Sequence, residues 1–115
     1  MAGQQPSDIL RKAAKLIEDP DRWAKGARAR DTEGYAVEAK DPTATSWCLE
    51  GAIAITCNPF GILPPYFMVL LDSVAEEYFD FPWGAPRFNE YYSHESVIRL
   101  LEIAAIKSER TECQR

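Results

Sequence analysis

A chain of 115 residues with 46 % hydrophobic content has apolar surface for one modest core, so residues 1–115 are read as a single domain. A net charge of -5 argues against binding nucleic acid, whose affinity for proteins comes mainly from Lys and Arg displacing counterions. Three cysteines, none spaced as CxxC, exclude a disulfide framework and a zinc knuckle, and no apolar run approaches the roughly 20 residues that span a bilayer. With no basic flank or apolar stretch at Met1–Pro6, the expectation is a cytoplasmic protein with reduced thiols, no membrane association, no metal and no cofactor.

Ser7 is a plausible N-cap, and Ile9, Leu10, Ala13, Ala14, Leu16 and Ile17 recur at helical spacing up to a stop at Asp19-Pro20. From Trp23 the period changes. Ala27 and Ala29 alternate with Arg28 and Arg30, Asp31-Thr32-Glu33-Gly34 supplies a turn, and Tyr35 and Val37 alternate again, which predicts a short antiparallel β-hairpin. Asp41 followed by Pro42 reads as a helix start, so Pro42 to about Thr56 is expected to be the central buried helix, with Trp47 and Gly51 on one stripe. Gly51 costs about 1 kcal/mol against Ala in a helix interior and therefore marks a close approach of another backbone.

Residues 59–65 form a loop, after which Phe67, Leu70, Leu71, Val74, Ala75 and Tyr78 define a third helix. The segment 80–86 reads as an aromatic, Pro-rich connection packed on the core, and Asn89 falls in a loop. Ser93 caps a fourth helix that uses Val97, Leu100, Leu101 and Ala104 and frays near Ser108. Residues 1–6 and 109–115 are expected to be disordered tails. The fold class is mostly α (α+β), a compact four-helix domain with one small hairpin, its second helix surrounded by the others.

Charge is unevenly spread. Through Lys40 there are eight Lys/Arg and seven Asp/Glu, whereas from Asp41 onward there are five against eleven, and residues 41–86 contain no Lys or Arg. Asp72, Glu76, Glu77 and Asp80, with Phe81 and Trp83 beside them, are therefore the expected binding surface for a protein partner, a basic one if the field steers it. Arg28 and Arg30 share one face of the hairpin and form a small basic patch suited to a phosphate or an acidic partner. Cys48 near a helix start, with His94 as a base, sketches a nucleophile. A small buried hydrophobe is the commoner state of such a cysteine, so no catalytic residue is assigned.

The order of features resembles a family of small bacterial and bacteriophage proteins known as a domain of unknown function. It has an amphipathic first helix (Leu10 to Ile17), a Trp-x-x-Gly segment (Trp23 to Gly26) continuing through Ala29 to Asp31, a Cys-x-x-Gly-Ala helix (Cys48, Gly51, Ala52) and an aromatic-Asn-acidic triplet (Phe88-Asn89-Glu90). The resemblance implies a bacterial or phage origin and a clustering of Trp23, Trp47, Cys48, Gly51 and Asn89. The expected function is a non-enzymatic interaction or regulatory protein, with an accessory protein that binds and inhibits a host factor as the specific version. The alternative is a ligand-binding module or cysteine-dependent enzyme with a pocket around Trp23, Trp47, Cys48 and Asn89. A concave, polar-lined pocket containing Cys48 distinguishes the second from the first.

Overall fold

The computed structural model describes residues 4–113; residues 1–3 and 114–115, parts of the expected tails, and the side chain of Cys113 lie outside the described residues. Among the described residues the architecture is mostly helical, with five helices rather than four and a three-stranded antiparallel sheet rather than a lone hairpin. The helices are α1 (Pro6–Leu16), α2 (Leu49–Cys57), α3 (Pro65–Phe79), α4 (Ala85–Tyr91) and α5 (His94–Cys113). The strands β1 (Ala29–Arg30), β2 (Ala36–Val37) and β3 (Ser46–Trp47) lie in the order β2-β1-β3.

Helix α1 buries Leu10 and Ala13, and Ile17 just beyond it, completely. It runs antiparallel to α5, because Arg11 meets Glu109 and, at the far end, the Ile17 carbonyl meets His94. Ser7 is not the cap: Gln5 holds that position without a side-chain bond. Ser7 lies inside the first turn, where its amide and hydroxyl donate to the Glu112 carboxylate at 3.1 and 2.8 Å. The start of α1 is thus capped from the end of α5, which continues past Ser108 to Cys113. Desolvation is the largest single influence on the Glu112 carboxyl and raises it, but the hydroxyl and amide of Ser7, the hydroxyl of Ser108 and the charge of Arg11 together outweigh it and hold its pKa below the ordinary value.

The hairpin turn forms where the sequence places it. Asp31 Oδ1 accepts the amides of Glu33 and Tyr35, both at 2.9 Å, and Gly34 takes φ 88°. The Asp41-Pro42 pair does not start a helix. Asp41 Oδ1 instead accepts the Thr43 amide and hydroxyl at 2.8 and 2.6 Å, closing a local turn. The chain then runs extended, with Arg30 opposite Ser46 and Ala29 opposite Trp47, so Trp47 is a strand residue and α2 begins only at Leu49. Trp47 is half-buried and donates its indole N–H to the Ala39 carbonyl at 3.0 Å.

What remains of the expected central helix is nevertheless surrounded: every residue from Leu49 to Ala54 is buried. Helix α2 lies against α1 and α4, while α3 packs on α4 and α5. The unexpected helix, α4, is seven residues long and has no local side-chain cap. Its first amide, that of Ala85, is held by Asp72 Oδ1 of α3 at 2.8 Å, and Gly84 enters at φ 94°. Phe88 of α4 stacks on Tyr92 with ring centroids 4.0 Å apart, and Phe79 and Phe81 approach it edge-on at 4.8 and 5.7 Å.

A Cβ on Gly51 would overlap the Arg28 carbonyl oxygen, so the close approach expected of this glycine is a crossing of α2 over the chain just before β1. The obstacle is backbone and cannot swing away. Gly51→Ala is therefore expected to lose about 1–3 kcal/mol to overpacking, against the roughly 1 kcal/mol that alanine gains in helix propensity. The net result should be a lower melting temperature, measured by thermal denaturation; an unchanged or higher value would contradict the crossing.

Candidate functional site

The same crossing organises the start of α2. The Cys48 amide donates to the Arg28 carbonyl at 3.1 Å, and Cys48 itself is the N-cap, its Sγ accepting the Gly51 amide at 3.2 Å. Burial pushes the Cys48 thiol up, and the amides of Gly51 and Glu50 recover only part of that shift. The helix start favours a thiolate, as the sequence suggests, but desolvation wins and the group is a neutral thiol at neutral pH. His94 does not serve it: its Nε2 lies 2.6 Å from the Ile17 carbonyl, closing the end of α1, and its ring sits 5.4 Å from that of Trp23.

Asn89, expected in a loop, lies on α4 and is 2 % exposed. Its Oδ1 accepts the Trp23 indole N–H at 2.8 Å and the Leu49 amide at 2.9 Å, while Nδ2 donates to the Ala24 carbonyl at 3.0 Å and to Glu90 Oε2 at 3.3 Å. Both ends of the side-chain amide are committed. Glu90 Oε2 also accepts the Gly26 amide at 2.8 Å. These bonds join α4, the first turn of α2 and the segment from Trp23 to Gly26, and leave a cleft of about 460 Å³ between them.

Glu50 lines that cleft. It is 6 % exposed, and its Oε2 has no hydrogen-bond partner among the described residues. The one cation beside it, Arg28, stands 3.8 Å from Oε1, and the Arg28 side chain is itself half in solvent. Burial pushes the Glu50 carboxyl up, Arg28 pulls it down and the Asp72 carboxylate pushes it up again, for a net rise. In the sequence Glu50 is one more carboxylate of the stretch 41–86 that contains no Lys or Arg. The signal that separates it is its isolation, since it is the sole charged residue between Asp41 and Asp72 and sits in an apolar helix.

The expected pocket is thus assembled in part. Cys48 and Asn89 line the cleft, together with Glu90 of the aromatic-Asn-acidic triplet and with Arg87, which the sequence did not single out, whereas Trp23 and Trp47 do not line it. Trp23 and Trp47 pair with each other through their backbones, and the Ala24 amide donates to the Trp47 carbonyl at 2.9 Å. Arg28 faces the cleft, but Arg30 is spent on the Lys25 and Gly34 carbonyls at 2.8 Å each. Among the acidic residues, Asp72 caps α4, Glu77 pairs with Lys107 at 3.1 Å, and Asp80 ends α3 in the left-handed conformation at φ 53°. Glu76 is exposed on α3. Phe81 is 6 % exposed inside the aromatic cluster, while Trp83 stands 59 % exposed next to it. Among the described residues there is no grouping of His, Cys, Asp and Glu fit to hold a metal ion, and no helix long and apolar enough to cross a membrane.

Asn89→Asp keeps the shape of this junction and removes its donor. The buried Ala24 carbonyl loses its partner and a second carboxylate is placed next to Glu90. The expected loss is on the order of 3 kcal/mol at neutral pH, read from denaturant unfolding. A variant as stable as the parent would mean that the junction is not what holds α4 to α2.

No curated protein and no solved structure matches this chain. A family does: its sequence profile covers residues 1–107, so the chain belongs to DUF6197, a family of unknown function.

Proposed function

We propose that this protein is a small-ligand-binding module whose site is the cleft at the start of α2. The observation that carries the reading is Glu50, a buried carboxylate whose Oε2 has no partner among the described residues and whose side chain lines a concavity of about 460 Å³, within the roughly 300–1,000 Å³ of typical ligand pockets. A buried carboxylate costs free energy unless paired and hydrogen-bonded, and a native structure that keeps one half-satisfied calls for a reason. A ligand that donates to Oε2 supplies it. The Cys48 thiol beside it is a capping group and a polarizable wall, and the module needs no nucleophile.

The raised pKa sets the pH behaviour of the ligand-free protein. Between the unfolded and folded values of Glu50 the native state binds more protons than the unfolded chain, so this group's contribution to stability falls as pH rises through that window. Glu50→Gln removes the penalty. It is expected to melt no lower than the parent at pH 7 and to abolish the thermal shift that ligands from a small-molecule library give the parent. A strongly destabilised Glu50→Gln, with no compound shifting the parent, would sink the reading.

A second reading rests on a separate observation, the exposure of Tyr91 at 74 % and Trp83 at 59 %, both edge-on to Phe81. Such an aromatic surface suits a protein partner, and a bacterial or phage protein that inhibits a host factor is the version the family resemblance suggests. Capture from bacterial lysate by the parent but not by Trp83→Ser, Tyr91→Ser is the expected result. Equal capture by both removes the aromatic surface from consideration.

A further inference from the structure

Resting on the ligand-binding reading, we infer that the cleft takes a small zwitterion of the amino-acid class, its ammonium at Glu50 and its anionic group between Arg28 and Arg87. The charged groups that line the cleft differ in burial and in what they lack. At the buried carboxylate the unmet requirement is a donor to Glu50 Oε2. Burial and the Asp72 carboxylate both oppose the charged form of Glu50. A cationic donor compensates both, whereas a hydroxyl or amide N–H satisfies the oxygen without answering the charge.

At the exposed arginines the requirement is reversed. Arg28 and Arg87 come from different elements, the first from the segment before β1 and the second from α4, and both are exposed. Arg28 has only its 3.8 Å approach to Glu50 as an ion pair, and the Arg87 side chain makes no hydrogen bond or ion pair among the described residues. Their guanidinium groups suit a carboxylate or phosphate. Glu90, which also lines the cleft, forms no ion pair with either arginine among the described residues; its Oε2 accepts from the Gly26 amide and the Asn89 side chain. A cation alone would leave the arginines unmatched, and an anion alone would leave Glu50 unmatched. A single molecule with separated opposite charges answers both, and the volume of about 460 Å³ restricts it to a small one.

The test is calorimetric titration of the parent, Glu50→Gln and Arg87→Ala with the twenty free α-amino acids, their carboxamides, their N-acetyl derivatives and phosphoethanolamine. At least one zwitterion is expected to bind the parent. Masking either its amine or its acid should weaken binding at least about tenfold, or 1.4 kcal/mol. Arg87→Ala should weaken the free zwitterion by a similar factor and leave the carboxamide unaffected, while Glu50→Gln should weaken both. Tighter binding of phosphoethanolamine than of any amino acid would support the inference with phosphate as the anionic group. If carboxamides bind as tightly as the free acids, or if neutral library compounds bind and no zwitterion does, this inference falls and the ligand-binding reading stands. If nothing in the panel or in a general fragment library binds, both fall.

Discussion

Three segments distant in the chain meet at one side-chain amide, that of Asn89. Through it α4 holds the first turn of α2 by the Leu49 amide, the loop after α1 by the Ala24 carbonyl, and the Trp23 ring by its indole N–H. Each partner is a group that would be costly to bury unpaired, so the junction is worth more than the sum of neutral hydrogen bonds in water. Next to it, the Arg28 carbonyl crosses Gly51 so closely that no side chain fits. The two contacts together fix where α2 begins, and with it the positions of Cys48 and Glu50.

This constraint explains why the cleft has the chemistry it does. A helix start seated against foreign backbone must cap its first amides from whatever is at hand, and Cys48, Asn89 and the Arg28 carbonyl share that work. Glu50 follows in the first turn and is buried with the rest of the run from Leu49 to Ala54, in a helix packed against α1 and α4. The carboxylate is thus carried into a desolvated position by the helix it belongs to, and the fold satisfies one of its oxygens only loosely. On the ligand-binding proposal such a site trades stability for binding, since the same burial that raises the carboxyl's pKa sharpens its interaction with a donor.

Capping from a distance recurs elsewhere. Asp72 of α3 holds the first amide of α4, and Glu112 of α5 holds the first turn of α1. In both cases the acidic residue that looks like solvated surface in the sequence is an internal fastener. Several carboxylates of residues 41–86 have partners within the fold: Asp41 closes its own turn, Glu50 is buried beside Arg28, Asp72 caps α4, and Glu77 pairs with Lys107. Exposed ion pairs such as the last contribute little to stability, about 0–1 kcal/mol, but they still consume charge that a partner would otherwise meet.

The amino-acid sequence by itself determined the elements whose signals are local. The helical spacing of Leu10, Ala13 and Ile17, of Phe67 through Ala75, and of Val97 through Ala104 places α1, α3 and α5, because burying one stripe of a helix needs no information from elsewhere. Asp31 and Gly34 likewise write their own turn, Ser93 caps α5, and Gly51 announces a close backbone by its cost in a helix. Only the tertiary structure decided the rest. Asp41-Pro42 is as good a helix start as it is a turn, and pairing of Ser46 and Trp47 with β1 made it a turn. Helix α4 is too short and too poor in caps to be seen without Asp72, and Glu50 is a surface charge or a buried acceptor depending on what packs over α2. In each instance the deciding partner lies a dozen or more residues away, where sequence periodicity carries no information.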